Sequence, residues 1–280
     1  MTSSGGTESV KQAASSVSGR AQQAADSRPM DWLARAGLTA RAVVYLLIGL
    51  LAILVANGNR AEADQKGALA QVIAKPYGGW AVGLLAFGFA GYALWRLSEA
   101  AFGVVGEGRK TGPRVQSLVR GIVYLFLSYT ALSLLLGSRA GQAAQQRGYA
   151  GQLMTTTGGR WLVGVAGAVV LVVGVALVVE GFQLKFMRFF PAGALPADIS
   201  KLVRQLGRVG TMARGVVFAL AGGLLVAAAW TFDPRKAGGL DGALKTLRSQ
   251  PYGPFLLLLI ALGLVAFGVY GLAEARYRRV

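Results

Sequence analysis

Six long stretches without a charged residue run through the chain, and short segments holding all of the charges separate them. Leu, Val, Ala, Gly and aromatic residues dominate the stretches, which occupy 42–59, 76–95, 121–138, 161–179, 215–232 and 249–273. A helix of about 20 apolar residues, within a range of about 17–25, crosses the hydrocarbon core of a bilayer. The pattern therefore predicts an all-α integral membrane six-helix bundle. The predicted helices cover roughly 38–57, 80–102, 116–137, 160–184, 210–231 and 254–276.

An arginine pair with the same spacing opens every second apolar stretch, at 35–41, 114–120 and 208–214. The second arginine leads each time into a small residue, two branched aliphatic residues and an aromatic ring. Pro-Tyr-Gly precedes the second and sixth helices, at 76–78 and 251–253. The pattern predicts three repeated transmembrane helical hairpins in a pseudo-threefold arrangement. The predicted repeat boundaries are 31–105, 106–190 and 191–280.

The first 30 residues differ in composition from the rest of the chain. Ser, Gln, Ala, Gly and Thr dominate them, and no aromatic residue occurs among residues 1–28. Such a segment cannot bury enough apolar surface to offset the entropy lost on ordering. It is also too polar for a secretory signal. We predict that residues 1–30 form a disordered tail that is retained.

The positive charge has a consistent position relative to the predicted helices. The formal net charge is +17, which in a soluble protein would suggest nucleic acid, but only 15% of the residues are charged. Of the 29 Lys and Arg residues, 19 lie on the side that holds both termini and 10 on the other. Basic residues favour the cytoplasmic side of membrane helices. We therefore predict both termini in the cytoplasm, a bilayer with anionic lipids as the partner, and no nucleic acid.

Aromatic and basic residues at the helix ends are typical of the membrane interface. Between the fourth and fifth helices, apolar residues recur at helical spacing opposite basic ones, which suits a helix in the headgroup plane. An amphipathic lead-in to the fifth helix explains the same pattern. The residues expected at lipid headgroups or the interface are Arg35, Arg114, Arg208, Lys201, Arg204, Trp32, Trp80 and Trp161.

Charged residues also recur at equivalent depths near one end of the helices. The odd-numbered helices carry Arg41, Arg120 and Arg214, and the even-numbered helices carry Glu99, Glu180 and Glu274. Charges within a span usually pair or face an interior, so one hypothesis is three Arg–Glu ties within or between repeats. The alternative is that these long side chains reach water near the helix ends, or pair within one helix, as Arg96 and Arg278 allow. Glu180 has no basic residue one turn away.

The chain contains neither cysteine nor histidine. This removes thiolate chemistry, the commonest general base and the commonest metal ligand. We assign no catalytic residue, no metal and no cofactor.

The expected function is that of a non-catalytic structural or accessory component that binds lipids, a protein partner or a second copy of itself. The alternative is a small ion or solute pathway along the pseudo-threefold axis, with an Arg/Glu ring at its cytoplasmic mouth. An enzyme acting on lipids is disfavoured because the acidic residues are scattered.

The chain resembles a known family in three features. These are the arginine pairs, the two Pro-Tyr-Gly motifs and the segment Gly-Arg-Trp-Leu-Val-Gly at 159–164. The family comprises bacterial membrane proteins with three tandem two-helix repeats, classed as domain of unknown function 1206. The resemblance covers about residues 30–278 and implies a plasma-membrane protein with threefold internal repetition. It implies no activity, so no functional residue is carried over. The middle copy departs most, since it lacks the Pro-Tyr pair and has Gln116 where Gly37 and Gly210 stand.

Overall fold

The computed structural model describes residues 28–59, 61–103, 111–137, 142–191, 193 and 195–278. These residues form nine α-helices and two short 3-10 turns, with no strand among them. The helices are α1 (Arg28–Ala56), α2 (Gln65–Ile73), α3 (Gly78–Phe102), α4 (Thr111–Leu135), α5 (Gln142–Met154), α6 (Thr157–Phe182), α7 (Ala197–Thr231), α8 (Gly239–Arg248) and α9 (Gly253–Tyr277). The 3-10 turns are Lys185–Phe189 and Pro234–Lys236.

Six of the helices, α1, α3, α4, α6, α7 and α9, are long and apolar enough to cross a membrane. The predicted all-α bundle with six such helices is therefore confirmed. All six are somewhat longer than predicted, and two of them, α1 and α7, are much longer. α1 begins at Arg28, so the predicted tail, 1–30, lies outside the described residues except for its last three. α7 begins at Ala197 and continues without a break, so the amphipathic segment is a lead-in to the fifth span.

The six long helices pack in the order of a ring that is open at one place. The contacts between neighbouring repeats are the most extensive: α3 with α4, α6 with α7, and α9 with α1. Within the first and third repeats, α1 packs on α3 and α7 on α9. The two helices of the middle repeat, α4 and α6, do not pack along each other. The fold thus keeps the threefold repetition but has an open seam, as we call the boundary between α4 and α6.

The burial pattern of α4 agrees with an open seam. Its buried residues follow helical spacing along one stripe. Within that stripe, the Ser128 hydroxyl donates a hydrogen bond to the Ala86 carbonyl of α3 at 3.0 Å. The remaining faces carry large exposed hydrophobic residues, such as Phe126 and Tyr129. α4 is therefore held to the bundle chiefly through α3, with a smaller contact to the short helix α2.

Glycine explains why α6 and α7 pack so closely. A Cβ on Gly174 would lie 2.7 Å from the Cα of Ala219, and one on Gly222 would lie 2.7 Å from the Cα of Leu171. Real Cβ atoms do not approach backbone this closely. Small residues at such positions let membrane helices approach backbone to backbone. The α6–α7 pair therefore depends on the glycines that face each other.

The short helices α2, α5 and α8 lie at one end of the bundle, which we call the cap end. Each of them precedes the even-numbered span of its repeat. Each of these spans has a glycine in its first turn. A Cβ atom on that glycine would overlap a carbonyl oxygen near the end of the preceding short helix. The three glycines are Gly78, Gly159 and Gly253. This contact explains why the middle repeat retains its glycine although it lacks the Pro-Tyr pair.

Candidate functional site at the arginine end of the bundle

The arginine end, defined by Arg41, Arg120 and Arg214, lies opposite the cap end. Here Glu274 of α9 accepts a hydrogen bond from Arg41 of α1 at 2.5 Å. Glu274 also accepts one from Arg278, one turn further along α9. The carboxylate is only 3% exposed. This three-residue group is an ion pair between the first and third repeats, combined with a pair inside one helix.

Glu99 of α3 has a different set of partners. It accepts from Arg96 at 2.6 Å and from the Ser117 hydroxyl of α4 at 2.9 Å. The Arg96 guanidinium also donates to the Tyr92 hydroxyl, at 3.0 Å and 2.8 Å, and lies 4.2 Å from the ring centre of Trp95. Arg96 and Glu99 are both buried. The charge of Glu99 is thus balanced within its own helix.

Arg214 of α7 is surrounded by aromatic rings instead of carboxylates. Its guanidinium carbon lies 5.1 Å from the ring centres of Phe218 and Phe267, and 5.3 Å from that of Tyr45. Its Nε is buried without a hydrogen-bond acceptor. In the part of the chain that the structure describes, no carboxylate forms an ion pair with Arg214. Such rings attract a cation but do not neutralise it.

The electrostatic environment of Arg120 in α4 is even less favourable than that of Arg214. Three like charges, Arg96, Arg278 and Arg214, are among its strongest electrostatic neighbours, together with Tyr92. No ion pair or hydrogen bond to Arg120 occurs among the described residues. Its side chain is half-buried. Arg120 is therefore a cation near the open seam with unused donors.

The structure brings together one of the three Arg–Glu sets that the repeats suggested, and it leaves two apart. Arg41 meets Glu274, whereas Arg120 does not meet Glu99. Glu180 of α6 forms no ion pair among the described residues, and Tyr270 is one of its electrostatic neighbours. The arginine end thus combines five guanidiniums, of Arg41, Arg96, Arg120, Arg214 and Arg278, with the three carboxylates of Glu99, Glu180 and Glu274.

Aromatic rings fill the space around these charges. The ring centres of Tyr92 and Tyr124 are 4.4 Å apart, and those of Tyr45 and Phe267 are 4.8 Å apart. Phe186, in the 3-10 turn after α6, packs against Tyr270 at 5.1 Å. Together the rings close the interior of the bundle at its arginine end.

The first arginine of two of the three pairs holds a helix end. Arg35 donates to the carbonyls of Ala275 and Arg276 at 2.9 Å and 2.6 Å, and Arg114 donates to those of Ala100 and Ala101 at 2.7 Å and 3.1 Å. A cation at a helix C-terminus satisfies free carbonyls and interacts favourably with the helix dipole. Both arginines thus fasten an even-numbered helix to its neighbour.

The other residues expected at the interface lie at the surface. Arg208 is exposed and lies over the ring of Phe182, with its guanidinium carbon 5.1 Å from the ring centre. Lys201 and Arg204 are also exposed on the lead-in of α7. The three tryptophans, Trp32, Trp80 and Trp161, expose most of their surface. A role in headgroup contact remains a prediction for all of them.

A buried acidic pair at the cap end was not expected from the sequence. Asp64 caps α2 by accepting a hydrogen bond from the Gly67 amide at 2.8 Å. Asp241 of α8 accepts from the Ala63 amide at 3.0 Å and from Lys245 at 2.8 Å. Burial raises the pKa of Asp64 to about 6; the Gly67 amide lowers this pKa, and the Asp241 charge raises it. The signal that could have found Asp64 is an acid three residues before a glycine at a helix start.

Tyr92 was likewise missed as part of the site. Tyr92, Arg96 and Glu99 follow one another at helical spacing, so they share one face of an otherwise apolar span. That spacing is visible in the sequence and could have predicted the group.

An apolar crevice of about 500 Å³ lies between α6 and α7 and reaches the cap end. No residue of α4 lines it. Gln65 and Gln146 contribute polar groups near the cap end, and Phe218 lines the crevice next to Arg214. Its lining from the two spans is Leu162, Val163, Ala166, Val170, Phe218, Ala221 and Leu225.

The chemistry available at the arginine end is that of anion binding. Guanidinium groups hold phosphate and carboxylate through paired, charge-assisted hydrogen bonds. Among the described residues, no group of three or more acidic side chains is arranged to hold a metal ion. The site thus offers excess positive charge beside an apolar crevice.

Comparison with known proteins agrees with this architecture. The family profile described as "Domain of Unknown Function (DUF1206)" matches three segments, 36–103, 115–183 and 209–278. Each matched segment contains one two-helix repeat with its second arginine and its glutamate. "Uncharacterized protein YxxB" of Bacillus subtilis (strain 168) is 29% identical over 249 residues, covering 88% of this chain and 90% of the relative. No solved structure matches the chain. The chain belongs to the DUF1206 family and carries three tandem copies of its domain.

Proposed function

We propose that the protein is a non-catalytic accessory component of the bacterial plasma membrane that binds anionic membrane lipid. The observation that carries this proposal is the excess of arginine over carboxylate at the arginine end, where Arg120 and Arg214 have no acidic partner among the described residues. A charge removed from water costs several kcal/mol unless it is paired. An anionic headgroup supplies the missing negative charge.

The distribution of basic residues between the two ends of the bundle supports the same proposal. The excess of Lys and Arg on the side that holds both termini supports a cytoplasmic location for the termini and, with them, for the arginine end. The cytoplasmic leaflet carries the anionic lipids and a negative surface potential. Exposed Lys201 and Arg204, on the lead-in of α7, extend the basic surface beyond the spans. The relative in Bacillus subtilis supports the bacterial part of the proposal.

Lipid retention during purification tests the proposal. The protein is extracted in mild detergent, reconstituted with equal amounts of phosphatidylglycerol and phosphatidylethanolamine, and released for native mass spectrometry. We expect tightly held phosphatidylglycerol in clear excess over phosphatidylethanolamine. Equal retention of the two lipids, or retention of neither, would contradict the proposal.

The alternative of an ion or solute pathway has less support. A pathway along the pseudo-threefold axis needs a continuous opening, whereas the rings of Tyr45, Tyr124 and Phe267 fill the arginine end. The Phe186–Tyr270 contact adds a further closure from the loop after α6. Ion or solute flux into proteoliposomes that exceeds the flux into empty vesicles would reverse this preference.

A further inference from the structure

We infer that one anionic phospholipid enters the bundle sideways through the open seam, with its phosphate on Arg120 and Arg214 and one acyl chain in the crevice. This inference rests on the proposed function and adds to it a defined site. Three features of the molecule carry it: an opening, an apolar channel and a charge at the correct end.

The opening is the seam between α4 and α6. A ring of six helices that were all packed on their neighbours would admit no lipid to its interior. Here α4 is held chiefly by α3 and α6 chiefly by α7, with the short helices α2 and α5 in contact with them at the cap end. No other spanning helix packs along the sides on which α4 and α6 face each other. In a bilayer, lipid chains are what covers such apolar surface.

The apolar channel is the crevice along α6 and α7. It begins at Phe218, whose ring also contacts the Arg214 guanidinium. It continues along α7 to Leu225, a distance of about 10 Å at the rise of an α-helix. Its volume of about 500 Å³ lies within the range of roughly 300–1,000 Å³ seen for ligand sites.

The charge lies at the end of the crevice where a headgroup would be. Arg214 belongs to the helix that lines the crevice, and Arg120 belongs to the helix beside the open seam. The two interact electrostatically, and neither has an acidic partner among the described residues. A phosphodiester accepts hydrogen bonds from two guanidiniums. A zwitterionic headgroup would bring its own cation into a region that already has excess positive charge.

The positions of the two arginines and the apolar crevice distinguish a phospholipid from a free anion as the ligand. Free phosphate would need only the two arginines and would leave the crevice unused. A phospholipid uses both features, since its phosphate lies at the cytoplasmic leaflet and its chain points toward the middle of the membrane. The crevice has that direction, from Arg214 toward the cap end.

Two independent variants test the site by the same lipid-retention measurement. Arg120→Gln with Arg214→Gln removes the charges, and Lys75→Gln with Arg248→Gln is the matched control because it removes two exposed charges at the cap end, away from the proposed headgroup site. Ala166→Trp fills the crevice, and Val165→Trp is its control because Val165 is exposed on α6 but does not line the crevice. Thermal unfolding of every variant confirms that it is folded.

We expect each site variant to lower the retention of phosphatidylglycerol by about tenfold or more, the effect of losing charged hydrogen bonds or the chain pocket. Both controls should retain it at the wild-type level. If wild type and all variants retain the lipid equally, the site is wrong and the proposed function stands. If the wild type itself retains no anionic lipid, both fail. Displacement of the lipid by millimolar inorganic phosphate would identify a free-anion site instead.

Discussion

Glu274 and Glu180 occupy equivalent positions in two repeats but differ in their surroundings. Glu274 is buried between Arg41 and Arg278, whereas Glu180 has no ion pair among the described residues and is partly exposed. Removing one partner of a buried ion pair leaves an uncompensated charge. The equivalent substitution in the two repeats should therefore have unequal consequences.

We predict that Glu274→Gln destabilises the protein by about 3–5 kcal/mol, because two guanidiniums lose their carboxylate. Glu180→Gln is the matched control and should change the free energy of unfolding by less than about 0.5 kcal/mol. Thermal or denaturant unfolding in detergent measures both. Equal effects of the two substitutions would show that Glu274 is not the centre of a buried ion pair.

Asp64 predicts a pH dependence of stability at the cap end. Its pKa is about 6 in the folded protein and about 3.9 in the unfolded chain. The folded state therefore binds more protons between these values, and stability falls as the pH rises from about 4 to about 6. A difference of about two pKa units corresponds to about 3 kcal/mol.

Asp64→Asn tests this dependence, because an amide oxygen can still accept the Gly67 hydrogen bond but does not ionise. Unfolding measured between pH 4 and pH 7 should show a smaller loss of stability for the variant. Above pH 6 the variant should be more stable than the wild type. Parallel curves for the two proteins would show that Asp64 is not the titrating group.

The sequence predicts the depth of the charged residues in the spans but not their partners. The depth of Arg41, Arg120 and Arg214 follows from where the apolar stretches begin. Their partners do not follow, because a long side chain can reach water, its own helix or a neighbouring helix. Which of these occurs depends on small residues elsewhere, such as Ser117, whose hydroxyl meets Glu99 in place of the Arg120 guanidinium.

At the scale of elements, the contact between α6 and α7 depends on glycine. Gly222 faces the backbone of α6 near Leu171, whereas its neighbour Gly223 has no atom within 4 Å of where a Cβ would lie. Substitutions at these two adjacent positions therefore separate the effect of the helix contact from the effect of helix propensity.

Gly222→Ala should destabilise the protein by about 1–3 kcal/mol, because an added methyl group forces the helices apart. Gly223→Ala should be neutral or stabilising by up to about 1 kcal/mol, the difference in helix propensity between the two residues. Unfolding of the two variants in detergent is the measurement. Destabilisation by Gly223→Ala to the same extent would indicate that chain stiffness, and not the helix contact, is what matters.

The six spans could be predicted from charge-free stretches alone, since the bilayer fixes the length of a helix. The ends of the helices could not be predicted, because α1 and α7 begin well before the charge-free stretches, in segments that contain charged residues. The short helix α5 was also not predicted. Its place in the fold follows from Gly159, which packs on the carbonyl of Leu153.

At the scale of the whole molecule, sequence repetition and spatial symmetry diverge. Three copies of the family's domain predict three equivalent hairpins, and the contacts between copies are indeed all present. The hairpin contact of the middle copy is absent, so the ring is open between α4 and α6. A repeat pattern cannot predict this, because each span is compatible with either lipid or a helix as its neighbour.

Disulfide cross-linking tests the open ring most directly, and the chain has no cysteine of its own to interfere. A disulfide requires Cα atoms within about 7 Å. Two cysteine pairs report on packed helices: Gly164→Cys with Ala229→Cys between α6 and α7, and Gly88→Cys with Ala40→Cys between α3 and α1. In these pairs the Cβ atoms would lie 3.5 Å and 3.2 Å apart.

The pairs for the open seam combine Phe126→Cys in α4 with Val172→Cys or Val173→Cys in α6, at similar depth from the arginine end. After mild oxidation in native membranes, we predict that the two reference pairs form disulfides within one chain and that neither α4–α6 pair does. Formation of an α4–α6 disulfide as complete as that of the reference pairs would show that the ring is closed.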